Sequence, residues 1–374
     1  VVSAARGALV AACAAAAAIV SLGLGAMGCK PDLDQTVSIV ADPVVLAVRS
    51  DPPESSPMSA VQLTALYVNH DGTIASAPIQ WAFCTARNPL ANLGSVNPLC
   101  LQAGGPQFVD LGDGTRVSGP IPDVACRQFG PSVPEPQPGQ PQGRPVDPDP
   151  TGGYYQPARF IAPSDGGALT GISETRLVCT GGLATGPAGV EYGRRYHTNV
   201  NPEVASLGIV GDSGALAWAM DGDAGAGSDA GDGGAAPAGP NVVKAGAHVT
   251  LRAAWDACPL TDRCGDGVCG ADESVMSCMA DCQTPVGCTG AERFAEFDVQ
   301  TQSVVDDRES IGVAWFATGG AFDADRTGRD PTDDTPSSDN GWTAPSVPGT
   351  VHLWVVLRDN RGGSGWGDYT VLVQ

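Results

Sequence analysis

Positive charge is scarce in this chain. Lysine and arginine together number 20, against 41 aspartates and glutamates, for a formal net charge of −21 at pH 7. Such a surface is repelled by phosphate backbones and by anionic membrane surfaces, and no basic patch relieves it, so nucleic acid is not an expected partner. Charged residues of either sign make up only 16% of the chain, low for a globular protein. Histidine is limited to His70, His197, His248 and His352. No His-Glu-x-x-His zinc motif occurs, and no Cys-x-x-Cys pair of the redox type. Beyond the N-terminal segment no long amphipathic helix is patterned into the sequence.

Glycine and proline are plentiful instead, at 50 and 31 of 374 residues. They suit frequent turns between short strands. In Val61–Tyr67, Val61, Leu63, Ala65 and Tyr67 alternate with Gln62, Thr64 and Leu66, the period of a half-buried strand. Val249, Leu251, Ala253 and Trp255 alternate in the same way, as do Val351, Leu353, Val355 and Leu357. Short strands, regular turn signals and Trp81 close to Cys84 fit a β-sandwich. The fold class expected is all-β: two β-sandwich (Ig-like) domains, 44–198 and 199–374. The first carries a proline-rich loop at 131–150, too rich in proline to join a sheet. The second carries an acidic, glycine-rich loop at 220–240. Asp221, Asp223 and Gly225 there echo a calcium loop, but the closing Glu and flanking helices of an EF-hand are missing.

The N-terminus reads as an export signal over residues 1–28. Arg6 is the only charge before Lys30, and an Ala/Leu/Val-rich run separates them. The final Ala26-Met-Gly-Cys29 resembles the lipobox of bacterial lipoproteins, with Ala26 where Leu is commonest. The resemblance implies lipidation at Cys29, a tether over 29–43 and attachment to a membrane through the lipid. Lys30, rather than Asp, after the cysteine implies the outer membrane.

Cysteine usage agrees with export. Setting aside Cys13 and Cys29 leaves Cys84, Cys100, Cys126, Cys179, Cys258, Cys264, Cys269, Cys278, Cys282 and Cys288, an even number that reads as disulfides in an oxidising compartment. Cys84 with Cys100 is the natural local pair, and Cys126 with Cys179 a second. Six cysteines crowd into 258–288, between strands, and spacing alone does not order them. Cys258 and Cys288 stand where they could close this insertion at its base. Zinc is compatible with some of the spacings, but exported thiols usually oxidise. Asp266, Asp272, Glu273 and Asp281 lie among these cysteines and form a candidate calcium set, since Ca²⁺ takes oxygen ligands and small cysteine-rich modules need such staples. Calcium is the only cofactor the sequence suggests. Asp323, Asp325, Asp330, Asp333 and Asp334 near the C-terminal RDNRGG form a second acidic loop group.

Two further resemblances are weighed against plain structural readings, and the first is set aside as a turn. Gly211–Gly214 (GDSG) resembles the nucleophile loop of chymotrypsin-like serine proteases, yet no histidine stands in that family's context and Ala215-Leu216 follows instead of Gly-Pro. The cysteine-rich segment, with Cys-Gly-Asp-Gly-x-Cys, Glu273 and Asp281, resembles a small repeat of bacterial surface proteins. Together with LAVRSDPPES (46–55) and VVLRDNRGGSGW (355–366), it resembles a family of bacterial surface lipoproteins with β-sandwich modules. That family implies no activity. The expected function is therefore a structural or binding, adhesion-like role at the cell envelope, without catalysis, whose partner is an extracellular protein or glycan. The alternatives are a Ca²⁺-dependent adhesion module and a secreted hydrolase working through paired carboxylates.

Overall fold

Alternating strands must bury one face each, and the computed structural model shows what covers those faces. It describes residues 37–374 apart from 74–75, 89–95, 132–147, 180–185, 212–213, 221–240, 260–263, 266, 284–286 and 299. The signal segment, Cys29, most of the proline-rich and acidic stretches, Asp266, and Asp212 with Ser213 of the GDSG turn lie outside the described residues.

The first sandwich is built from β1 (Val44–Asp51), β2 (Glu54–Ser55), β3 (Ala60–Val68), β4 (Gln80–Cys84), β5 (Phe108–Asp113), β6 (Arg116–Pro120), β7 (Tyr155–Ser164) and β8 (Gly167–Leu177). These form sheets in the orders β1-β3-β6 and β2-β8-β7-β4-β5. Val61, Leu63, Ala65 and Tyr67 point into the core between them, with Trp81 and Phe83. The Trp81 indole N–H donates to the Gly114 carbonyl at 2.8 Å, so its polar edge stays satisfied inside. Disulfides Cys84–Cys100 and Cys126–Cys179 pin loops to this core.

The second sandwich comprises β9 (Ser206–Gly211), β10 (Gly214–Ala217), β11 (Asn241–Val243), β12 (His248–Ala254), β13 (Arg293–Asp298), β14 (Ser303–Arg308), β15 (Ile311–Ala317), β16 (Ala321–Phe322), β17 (Arg326–Arg329), β18 (Ser337–Thr343), β19 (Gly349–Asp359) and β20 (Ser364–Val373). The sheets run β10-β9-β12-β18-β16 and β11-β20-β19-β15-β17, with β13-β14 as a separate ribbon. Leu251, Ala253, Trp255, Trp315, Trp342 and the Val351/Leu353/Val355/Leu357 face of β19 fill the core.

β19 is buried on both sides. Its other face sends Trp354 and Val356 into a third cluster with Leu46, Ala47, Leu66 and Val68 of β1 and β3. Burying one aliphatic side chain contributes about 1.5–3 kcal/mol, so this seam couples the sandwiches strongly. Residues Val37–Gln374 accordingly form one compact unit.

A ten-residue helix, Gly186–Arg195, stands between the sandwiches in the sequence. Its Gly186, Pro187, Gly189 and Gly193 are weak helix formers, which is why pattern alone does not mark it. Tertiary contacts hold it: Tyr192 packs on Phe297 of β13 at 6.0 Å between ring centroids, and Arg195 pairs with Asp306 of β14.

Candidate functional site

The cysteine-rich insertion leaves the second sandwich after β12 and returns into β13. Cys258–Cys288 closes its base, and Cys264–Cys278 and Cys269–Cys282 cross inside it. Asp281 is buried at 2% exposure. Its carboxylate accepts the Gly265 N–H at 2.6 Å and the Gly267 N–H at 3.1 Å. Both glycines have positive φ, +98° and +86°, which turns their amides inward. Glu273 accepts the Gly270 N–H at 3.1 Å, and Asp272 is exposed. Of the four candidate calcium ligands, then, two are occupied with backbone amides, one faces solvent and Asp266 lies outside the described residues. Asp272, Glu273 and Asp281 form no group of converging ligand atoms. Cys264, Cys278 and Asp281 do come within 4.8 Å of one another. The two sulfurs are bonded to each other, so neither is a thiolate able to ligate a metal. Asp281 and Glu273 hold turns of the insertion. Arg194 of the helix adds a contact to the Glu273 carbonyl and one to Cys269 Sγ.

The second acidic group also disperses. Asp323 pairs with His248 at 3.1 Å, Asp325 accepts from Ser38 Oγ at 2.5 Å, Asp330 caps the Thr332 amide at 2.8 Å, and Asp333 pairs with Arg329 at 2.9 Å.

The two segments that carry the family resemblance, 46–55 and 355–366, meet in space. β1 is an edge strand of its sheet, and an edge leaves backbone carbonyls without ladder partners. Side chains take the place of a neighbouring strand. Arg358 Nη2 donates to the Leu46 carbonyl at 2.9 Å, Ser364 Oγ to the Val48 carbonyl at 2.8 Å, and Asn201 Nδ2 to the Ser50 carbonyl at 2.8 Å. Asn201 Oδ1 in turn accepts the Ser364 N–H at 2.9 Å.

Beside this edge lies a buried ion cluster. Arg361, 1% exposed, sits in the β19–β20 turn, where Gly362 takes φ +98°. Its Nη1 lies 2.7 Å from Glu292 and 3.6 Å from Glu309, and its Nη2 lies 3.5 Å from Glu54. The Nη2 also donates to the His197 carbonyl at 3.0 Å, and the guanidinium stacks over Phe294 at 4.6 Å. Arg176 of β8 approaches Glu54 from the other side at 3.4 Å. Tyr196 donates its hydroxyl to Glu54; burial, and then the Glu54 charge, push its phenol well up, so it stays a donor. His197 Nε2 lies 3.4 Å from Glu292. Asp359 accepts the Arg361 and Gly363 amides, each at 2.8 Å, which closes the turn. Burial raises its carboxyl to about 6, against the opposing pull of these amides and Asn199. Burial, then the nearby Asp359 and Glu292 charges, raise Glu309 well above the carboxylate range.

A cleft of about 370 Å³ opens next to this junction, between β1, β7–β8 and the β19–β20 turn. Glu174, Arg358 and Asp359 line it, with Phe160 and Ile172. Asp359 is spent on the turn, whereas Glu174 is exposed; burial, then the Asp149 charge, raises the Glu174 carboxyl.

Arg361 and Glu54 stand inside motifs visible in the sequence. Glu292, Glu309, Arg176 and His197 have no local signal. Only the scarcity of basic residues hints that a buried arginine must serve several carboxylates at once.

No family model matches the chain, and no curated protein does. Comparison with solved structures returns dimeric latent PorU from Porphyromonas gingivalis, at 10% identity and TM-score 0.18, covering 89% of this chain and 34% of that one. It also returns the Yersinia pseudotuberculosis adhesin InvE, at 9% identity, TM-score 0.18, and 87% and 58% coverage. The FN1–FN3 domains of chicken CNTN1 match at 11% identity, TM-score 0.17, and 89% and 67% coverage. The chain thus spans about a third of the length of the PorU chain.

Proposed function

We propose that this chain is an exported, lipid-anchored protein of the bacterial cell envelope, with a structural or binding role and no catalysis. The carrying observation is the disulfide framework: five bonds among the described residues, two in the first sandwich and three in the insertion, as suits an oxidising compartment. The proposed partner is an extracellular protein or glycan, met on loops carried by a rigid scaffold. Rigidity follows from the apolar seam and the ion cluster, which join the two sandwiches into one body. The carboxylates of that cluster are 0–8% exposed, so they serve the scaffold and not a substrate.

Lipidation at Cys29 and outer-membrane placement belong to this proposal and are tested together. The full chain is expressed in a Gram-negative host, its membranes are separated by density, and its N-terminal peptide is analysed by mass spectrometry. A diacylglyceryl thioether on Cys29, in outer-membrane fractions, is expected. The Cys29→Ser variant should carry no lipid. An unmodified Cys29 in the wild type, or an unlipidated wild-type protein in the soluble fraction, overturns the anchor.

A further inference from the structure

The cluster around Arg361 does not balance its own charge. Glu54, Glu292, Glu309 and Asp359 contribute four carboxyl groups, and Arg361 and Arg176 two guanidiniums, all at most 8% exposed. A proton on His197 would offset one charge and still leave an excess. Buried charge without a partner is costly enough that the group neutralises instead. The place where it does so is visible. Glu309, 0% exposed, uses Oε2 to accept the Glu292 N–H at 3.2 Å. Among the described residues its Oε1 has no hydrogen-bond partner, and the cation paired with it is Arg361, at 3.6 Å from Nη1. That guanidinium nitrogen is already 2.7 Å from Glu292.

We propose that this junction is a proton-operated latch: Glu309, backed by Asp359, keeps a proton in the folded protein, and loss of that proton to solvent loosens the contact between the two sandwiches and the insertion. The groups facing Glu309 come from every element at the junction. Asp359 and Arg361 of the β19–β20 turn and Glu292 before β13 act on Glu309 directly, while Glu54 of β2, Arg176 of β8, and Tyr192, Tyr196 and His197 in and after the helix complete the junction through Arg361, Glu54 and Glu292. The raised Glu309 and Asp359 carboxyls agree with this. The sign follows from linkage. The folded state holds a proton that the unfolded chain releases near the ordinary carboxylate range. Stability is therefore greatest in mild acid and falls as pH rises toward the folded pKa. A protein placed outside the cytosol would meet such pH changes directly; the latch itself depends only on the cluster and not on the anchor.

The test compares the disulfide-intact wild type with Glu309→Gln, in which a neutral isostere stands for the protonated acid. Urea unfolding is measured from pH 5 to pH 9. The wild-type unfolding constant should rise by up to about tenfold per pH unit for the one proton released. The variant should lack that component and equal or exceed the wild type at pH 8. Infrared difference spectra give a readout that a purely structural role would not move. A carbonyl band of a buried, protonated carboxylic acid is expected in the wild type at pH 7, and it should be absent from Glu309→Gln. If the variant does not fold, the wild-type band and its loss on raising the pH decide alone. Equal destabilisation of the variant at every pH, or no such band in the wild type, overturns the latch and makes Glu309 an ordinary ionised partner of Arg361.

Discussion

Replacing Arg361 by methionine tests the central reading of the junction. Methionine keeps much of the packing against Phe294 but removes the one cation shared by Glu54, Glu292 and Glu309. Removing one partner of a buried ion pair costs about 3–5 kcal/mol, because the other charge is left uncompensated. The stranded carboxylates can escape by binding protons. For an ordinary glutamate this costs about 3.7 kcal/mol at pH 7 and about 1 kcal/mol at pH 5, at 1.36 kcal/mol per pH unit. The loss should therefore be about 4 kcal/mol at pH 7 and shrink by about 2–3 kcal/mol at pH 5. Urea unfolding followed by tryptophan fluorescence, with disulfides intact, measures both. Arg358→Met is the control: it removes a guanidinium that makes a hydrogen bond to Leu46 but no ion pair in the cluster, so it should cost about 1 kcal/mol with little pH dependence. A loss below about 1 kcal/mol for Arg361→Met at pH 7, or the same loss at pH 5 and pH 8, would refute the claim that Arg361 compensates buried charge.

Four further outcomes follow from the same geometry. Asp359→Asn should keep accepting the two turn amides while losing the ionisation cost. The carboxyl is raised to about 6, so the variant should gain about 3 kcal/mol on the wild type as pH rises from 4 to 7, read as the difference between their stability curves. Asp281→Ala removes the carboxylate that accepts the Gly265 and Gly267 amides and should destabilise the insertion by about 1–3 kcal/mol, the range for hydrogen bonds to a charged group, seen as faster hydrogen exchange at 264–282. Calcium and chelator should leave the thermal midpoint unchanged within about 1 °C, given that 1 kcal/mol moves it by a few degrees; a calcium-dependent gain would restore the ligand set read from the sequence. Residues 44–198 expressed alone expose the β1 edge and leave Glu54 without Arg361, so size-exclusion chromatography should show self-association rather than a monomer.

The strands were legible because period two survives wherever one face is buried. Val61, Leu63, Ala65 and Tyr67 all enter the first core, as that alternation requires. Leu66 is the telling exception: an apolar residue on the supposedly polar face of β3, it packs under Trp354 in the seam. Read physically, it signalled that the β3 sheet is covered on both sides. The run of apolar residues from Leu353 to Leu357 carries the same message for β19. The helix at Gly186–Arg195 stayed hidden because its stability resides in contacts made by Tyr192, Arg194 and Arg195, not in its own propensity. Composition shows that the insertion is rich in carboxylates but not what each one meets; Asp281 meets two backbone amides. Positive φ at Gly265 and Gly267 is what turns those amides toward Asp281, and φ is set by the folded turn.

The two motifs at opposite ends of the chain acquire one physical explanation. An edge strand must be covered or it invites pairing with another chain. Covering β1 with a further strand would seal it by ladder bonds, but the second sandwich offers a turn instead. Arg358, Arg361 and Ser364 therefore stand within one turn and its flanks, two donating to β1 carbonyls and one reaching past the edge to Glu54. Reaching past the edge buries a charge, and a buried charge demands compensation. That demand recruits Glu292 at the foot of the insertion and Glu309 at the entry to β15. The closure of β1, the placement of the insertion and the buried proton balance are thus consequences of one arrangement. The same arrangement explains why Asp359 and Gly362 accompany the arginines: the carboxylate closes the turn through two amides, and the glycine supplies the positive φ that aims Arg361 inward.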